Sequence, residues 1–369
     1  MNRPLLLESP RVVVPVVAGI GNALMAQPMV RQLKRNLPGA RITIAARTKA
    51  MAAVFDRMVE VDACVVMDSG ALGMARSMVR LQLSARPDIC LIPFPSNRWQ
   101  YMALALASGA RFRVMHRYST GAIRALGCVP ALRLPAVRGL HDVVQNLYLL
   151  RLLGVEPDID DAPRFVVTEQ DRCRAAQILA FAGIAAHVRF IAIHPGSART
   201  ILAEAKRWPL EMYARLVCLL ASAGRGPMVV LEGPDEDGMA HTIACMTGGI
   251  ARAVRLRGPL GEAAAVLERA RLYVGSDSGL AHLAAAVGTP PVTLFGPADP
   301  DRVCPFGYRR LVVQAPDKRC SPCFMYPWEA TSPRIRCDSP DCVRRITPES
   351  VLETIETAER LFCRQVRSV

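Results

Sequence analysis

Three stretches of this 369-residue chain place charged and small residues where they could handle an anion. The longest is Val274-Gly275-Ser276-Asp277-Ser278-Gly279-Leu280-Ala281-His282, followed by Gly288-Thr289-Pro290-Pro291 and Phe295-Gly296-Pro297. Small residues at a helix start leave backbone amides free to face an anion. Asp277 would cap that helix or bind a hydroxyl, and His282, one turn inside, would back the loop or touch a phosphate. The plainer alternative is a capped helix with a core histidine. A second stretch joins Pro195-Gly196-Ser197-Ala198-Arg199 to Lys206-Arg207-Trp208-Pro209. Its Gly-Ser turn offers amides and a hydroxyl, and Lys206 a point charge, which together suit a diphosphate without a metal. Trp208 and Pro209 would fix the entry to the next helix. The third is Glu232-Gly233-Pro234-Asp235-Glu236, where a carboxylate could accept from ribose hydroxyls or simply favour a helix start.

Two further clusters carry chemistry. The first strand leads into Ala18-Gly19-Ile20-Gly21-Asn22, whose glycines allow a tight turn at a helix N-terminus. The full dinucleotide pattern is absent: position 24 is Leu, and no acid closes the second strand, so a simple NAD site is excluded. Near the C-terminus, Cys320-x2-Cys323 is followed by Cys337 and Cys342 among prolines. Four thiolates so spaced can enclose a structural zinc, although reduced thiols or labile disulfides would fit the same residues. The other eight of the twelve cysteines are scattered in apolar surroundings and read as small core residues.

The elements that must position these residues alternate as short apolar runs and helical stretches, the pattern of α/β domains with parallel sheets. Strands are expected at 12–17, 41–46, 63–67, 88–93 and 111–115, with helices at 22–36, 72–84, 98–108 and 141–153. The acidic, proline-containing stretch VEPDIDDAPRFVVT then marks a change of composition. Beyond it, strands at 189–194, 227–231, 271–274 and 291–295 alternate with helices at 210–223, 235–246 and 278–287, and Thr347-Pro348-Glu349 opens a last helix. The expected organisation is an N-terminal Rossmann-like domain over 1–155, a linker over 156–168 and a second Rossmann-like domain over 169–346. The cysteine insertion occupies 320–342 and a terminal helix 347–369. Ligands would sit at the carboxyl ends of the strands, in a central cleft that the two domains face.

Composition narrows the class. Half the residues are apolar and the formal charge is +14. Residues 1–165 hold 21 Lys/Arg against 11 Asp/Glu, a net of +10; the remainder holds 25 against 21, a net of +4. The basic first half suits an anionic partner, either a phosphorylated saccharide or acidic lipid, although an arginine-rich composition alone would look the same. Nucleic acid lacks any recognition module. No apolar run is long enough to span a membrane, and the N-terminus lacks the order of a signal peptide. The expected location is therefore cytoplasmic, with peripheral contact at the inner membrane as the membrane variant.

The set G-x-G-N, P-G-S, K-R-W-P, G-P-D-E, G-S-D-S-G-L-A-H, G-T-P and F-G-P-A-D-P resembles glycosyltransferase family 9, whose members include the ADP-heptose:lipopolysaccharide heptosyltransferases. The resemblance runs from Val12 to the last helix and implies the GT-B fold, with the second domain binding a nucleotide sugar and the first an acceptor. It implies that Ser197 and Lys206 contact the diphosphate, Lys206 in place of a catalytic metal. Glu236, or in second place Asp235, would hold the ribose, and Asp277, Ser278, Gly279, Leu280 and His282 would grip phosphates and sugar, with Gly21 lining the donor side. The implied reaction is inverting, metal-independent transfer of a sugar, heptose from ADP-heptose, to a hydroxyl of a lipopolysaccharide core or other surface glycan. A protein (autotransporter-type) acceptor is the alternative within that chemistry, and a non-catalytic sugar-nucleotide-binding protein the alternative outside it. The family's turn usually ends Gly-Asp, with the Asp as general base; here it is Asn22, which orients rather than deprotonates. Asp142, His141 and His116 are the candidates for the base. The family also carries cysteine insertions like 320–342, and in one branch an iron-binding finger, so iron joins zinc as the implied structural metal.

Overall fold

The computed structural model describes residues 8–118, 130–197, 203–234, 236, 238–316, 321–323 and 341–362. The chain divides between Pro163 and Arg164 into two compact units.

In the first unit, strands β1 (Arg11–Val16), β2 (Arg41–Ala46), β3 (Ala63–Val66), β4 (Ile89–Leu91), β5 (Phe112–Arg117) and β6 (Leu132–Pro135) form one parallel sheet in the order β3-β2-β1-β4-β5-β6. Helices α1 (Ile20–Asn36), α2 (Lys49–Ala52), α3 (Gly70–Ala85), α4 (Trp99–Ala107) and α5 (Asp142–Tyr148) make the crossovers and the final layer. Val12, Val13 and Val14 are buried on both faces of β1, as a central parallel strand covered by helices requires. The strand order reverses between β1 and β4, so the loops after these two strands flank the switch point of this sheet.

Two differences from the expected elements matter here. Helix α1 starts at Ile20, with Gly19 extended before it, so Gly21 and Asn22 lie in its first turn and not in a preceding loop. The segment expected as one helix over 141–153 is α-helical only to Tyr148 and tightens into a 3-10 turn over Leu149–Leu153, ending at Gly154 with φ 79°. The 156–163 stretch is tied to α1 by a buried pair: Arg31 Nη1 lies 2.5 Å from Asp161 Oδ1, and Gln32 exchanges hydrogen bonds with the Asp158 backbone.

In the second unit, β7 (Phe190–His194), β8 (Met228–Glu232), β9 (Ala251–Arg255), β10 (Ala270–Ser276), β11 (Pro291–Leu294) and β12 (Val312–Val313) form a parallel sheet in the order β12-β11-β10-β7-β8-β9. Its helices are α6 (Glu169–Phe181), α7 (Ala203–Lys206), α8 (Leu210–Ser222), α9 (Met239–Met246), α10 (Leu260–Arg269), α11 (Gly279–Ala286), α12 (Pro300–Val303), α13 (Asp341–Arg344) and α14 (Pro348–Phe362). The order reverses between β7 and β10, again defining a switch point. Thr168 and Asp171 form a reciprocal capping box at the start of α6, which ends the acidic stretch with a defined helix entry. Helix α9 begins at Met239, after Gly238 with φ 78°, later than the expected 235, and Glu236 therefore precedes the helix.

Among the described residues, Trp208 is the largest fully buried side chain. Its indole meets the Tyr213 ring edge-on at 4.8 Å, and its Nε1 donates to the Ile346 carbonyl at 3.0 Å. The Trp-Pro pair thus anchors α8 to the segment that leads into α14.

Candidate donor site at the switch point of the second sheet

His194 ends β7 and Gly275 lies directly opposite it on β10. Tyr273, two residues earlier on the same face of β10, extends its phenol along the strand over Gly275. A Cβ on Gly275 would stand 2.6 Å from the Tyr273 hydroxyl and 2.7 Å from the His194 carbonyl, so only glycine fits there. The Tyr273 hydroxyl, 3.3 Å from His194 Nδ1 and 3.4 Å from Ser278 Oγ, ties the strand ends to the loop before α11. On the opposite face, the buried Tyr213 hydroxyl meets Ser276 Oγ at 3.1 Å. Burial raises the pKa of both phenols above the ordinary tyrosine value, so both keep their protons.

Helix α11 presents an uncapped amino end. Its N-cap residue, Ser278, makes no side-chain cap bond and the first turn holds no acid. The expectation that Asp277 might cap this helix is corrected by the structure: the Asp277 carboxylate turns to Lys206, with Oδ2 2.6 Å from Nζ. Lys206 keeps 22% of its side chain exposed and Asp277 9%. His282 is buried below them, and burial, with Lys206 nearby, pushes its imidazole down to about 4 despite the opposing pull of Asp277. It is neutral at pH 7. Lys206, Asp277, Ser278, Gly279, Leu280 and His282 are therefore gathered around one helix N-terminus, at the carboxyl ends of β7 and β10. Such an end offers amide donors and a favourable dipole to an anion, and a diphosphate would compete with Asp277 for the Lys206 ammonium.

Ser197 lies buried at the turn after β7, and its carbonyl accepts from Arg207 Nη2 at 2.9 Å. This bond joins the two halves of the second motif. Glu236 folds back over the same turn: a Cβ on Gly196 would stand 2.0 Å from Glu236 Cγ, and one on Gly233 2.8 Å from its Oε2. Two glycines from separate motifs thus make room for one carboxylate. Oε2 accepts from the Gly233 amide at 2.7 Å and lies 3.5 Å from His194 Nε2. Although desolvation works to raise it, the Glu236 pKa is lowered, through His194, the Gly233 amide and Arg207. Glu232 has another role: its buried carboxylate accepts from the Ala240 amide at 3.0 Å and pairs with Arg255, steadying the start of α9. His194, Tyr273 and Tyr213 were not picked out as site residues in the sequence. The signal for Tyr273 was its position two residues before a glycine at a strand end.

In the first unit, Gly21 and Asn22 are half-buried in the first turn of α1. The loop after β4 is fixed by Asn146, which accepts from the Phe94 amide at 2.7 Å and donates to the Met25 carbonyl at 3.2 Å, tying that loop to α1. Tyr118 accepts from the Ser96 amide at 2.8 Å. Of the base candidates, His141 caps α5, its Nδ1 accepting from Val143 at 3.1 Å. Asp142 is fully buried in the first turn of α5. His116 is buried beside Phe94, and desolvation pushes its imidazole down to about 3, too low for an effective base at neutral pH.

Cys320 and Cys337 lie outside the described residues. Cys323 and Cys342 both approach the Gly296-Pro297 turn: the Cys323 amide donates to the Pro297 carbonyl at 3.1 Å, and a Cβ on Gly296 would lie 3.2 Å from Cys342 Sγ. Among the described residues no group of three His, Cys, Asp or Glu side chains could hold a metal. Among them, too, no helix is long and apolar enough to cross a membrane.

Fold and site together define a protein of two parallel-sheet α/β domains, the second with an uncapped helix end at its switch point. The chain belongs to glycosyltransferase family 9 (heptosyltransferase), whose sequence pattern matches residues 103–331. It is 34% identical over 116 residues to lipopolysaccharide heptosyltransferase 1 of Escherichia coli O18:K1:H7, covering 31% of this chain but only 35% of that relative. It is 26% identical over 289 residues to lipopolysaccharide heptosyltransferase 3 of E. coli K12, covering 76% of this chain and 80% of the relative. Solved structures share the fold, among them the two that follow. The glycosyl transferase family 9 protein of Veillonella parvula has a TM-score of 0.75 at 21% identity, covering 94% of this chain and 96% of its own. E. coli heptosyltransferase WaaC with ADP has a TM-score of 0.66 at 19% identity, covering 94% and 99%.

Proposed function

We propose that the chain is a glycosyltransferase that transfers heptose from ADP-heptose, with inversion and without a catalytic metal, to a hydroxyl of a lipopolysaccharide core. The observation that carries this reading is the pairing of Lys206 with Asp277 over the uncapped start of α11. In this account Lys206, the α11 amides and Ser197 hold the diphosphate, and they stabilise the charge that grows on it as the glycosidic bond breaks. Asp277 gives up Lys206 to the diphosphate and accepts from sugar hydroxyls. Glu236 holds the ribose. His282, neutral and buried, supports the loop without adding a charge. Family membership and the ADP in the neighbouring structure's name support the choice of donor.

In the first unit Asn22 orients the acceptor hydroxyl at the start of α1. Asp142, buried at the start of α5, is the carboxylate assigned to take its proton, and substitution tests that assignment. ADP release from ADP-heptose with lipopolysaccharide core acceptor and chelator present is the assay. Transfer should persist in chelator and fall at least about tenfold with Lys206→Ala, as loss of a charge-assisted contact implies. Asp142→Asn should lower kcat with little change in the donor KM. Transfer abolished by chelator would refute the metal-independent reading, and an unchanged kcat would remove Asp142 from proton transfer.

We also assign a structural zinc or iron to Cys320, Cys323, Cys337 and Cys342, which would brace the Gly296-Pro297 turn near the donor loop. Four thiolates suit either ion. Elemental analysis should find about one equivalent of metal, lost on Cys323→Ser; a metal-free preparation that retains full activity would refute it. The basic first unit suits a lipid-anchored acceptor at the inner membrane face.

A further inference from the structure

The side chain that links the two halves of the donor site is His194, which the proposed chemistry does not use. It is 2% exposed. Its Nδ1 faces two hydroxyls, Tyr273 at 3.3 Å and Ser278 at 3.4 Å. Its Nε2 faces only Glu236 Oε2, at 3.5 Å, and has no closer partner among the described residues. The polarity of the ring follows. A bare Nε2 lone pair turned on a buried carboxylate would be repulsive, so Nε2 carries the proton and Nδ1 accepts from Tyr273 or Ser278.

We infer that His194 is a positioning residue that couples the ribose-binding carboxylate of Glu236 to the phosphate-binding loop through Ser278. The inference rests on the donor-site reading above. Glu236 Oε2 is held between the Gly233 amide and His194, while Oε1 makes no hydrogen bond among the described residues. Fixing one oxygen leaves the other as a preoriented acceptor for a ribose hydroxyl. The 3.5 Å separation stands at the long limit for a hydrogen bond. Because the ring also contacts the residue that begins α11, seating a diphosphate on that helix end and seating a ribose on Glu236 become one event. Gly275 and Gly196 are the steric conditions for this chain of contacts, one admitting the Tyr273 phenol and the other the Glu236 side chain.

The test compares binding of ADP, 2′-deoxy-ADP and 3′-deoxy-ADP by calorimetry to the full chain and to His194→Leu and His194→Gln. Leu fills the space without a donor; Gln can carry an N–H to the position of Nε2. The native chain should lose about tenfold in affinity when the recognised hydroxyl is removed, the scale of a hydrogen bond to a charged group. In His194→Leu that discrimination should fall to within about threefold, with ADP weakened and the deoxy analogue little changed, and His194→Gln should restore it. Parallel weakening of all three ligands, with the ratio preserved, would show a merely structural histidine and overturn the inference. A native chain that binds no ADP would overturn the donor reading and this inference with it.

Discussion

At the scale of single residues, the site is defined as much by missing side chains as by present ones. Gly196, Gly233 and Gly275 each stand where a Cβ would collide with Glu236 or Tyr273. The collision at Gly196 is with a side chain and not with backbone, so Gly196→Ala should displace Glu236 rather than unfold the domain. ADP affinity should fall about tenfold while the melting temperature barely moves, and adding Glu236→Ala should cost nothing more, because both changes remove one contact. Full additivity in that double mutant, measured by calorimetry, would separate the glycine from the carboxylate. The polar types of the site were legible in the sequence, since Lys206, Asp277 and Glu236 stand in short motifs. Their partners were not. Nothing local predicts that Asp277 pairs with Lys206, 71 positions away, or that His194 faces Glu236, because both contacts are made by strand order.

At the scale of elements, strands with continuous Val/Ile runs declared themselves, and β2 is found at its expected bounds. The elements that escaped notice lacked that signal. Helix α6 buries only Asp171, Ala175 and Leu179, α10 carries three alanines in succession, and β9 is an edge strand with Arg252 and Arg255 exposed. The K-R-W-P motif shows how two roles share one segment: Lys206 faces the donor loop, while Trp208, two residues on, is packed under α8. Trp208→Ala should destabilise the chain by about 3–5 kcal/mol, the usual cost of truncating a buried aromatic. Trp208→Phe should cost less, about 1–2 kcal/mol, for the Ile346 carbonyl that loses its donor. Urea denaturation distinguishes these outcomes, and a Trp208→Phe protein as stable as the native one would mean that the indole nitrogen contributes nothing.

At the scale of the whole molecule, two domains each carry a switch point, and the chemistry assigned to the chain depends on the second. Acid stability follows from burial in both. His116 and His282 are pushed by desolvation to about 3 and about 4, while in the unfolded chain each titrates near about 6.5. Between those values the unfolded state takes up protons that the native state refuses. Stability is therefore complete above about pH 6.5 and is lost as pH falls toward 4, by about 3 kcal/mol for each ring. His116→Gln should flatten the pH dependence of unfolding, and an unchanged slope would show that ring to be accessible. The central claim is that the α11 helix end, with Lys206, binds the diphosphate of an adenine nucleotide. It is tested most directly by calorimetric titration of ADP, UDP and GDP into the full chain and into Lys206→Ala. The account predicts selective binding of ADP, weakened at least about tenfold by the substitution. Binding of ADP that ignores Lys206, or no binding of any of the three, would contradict it.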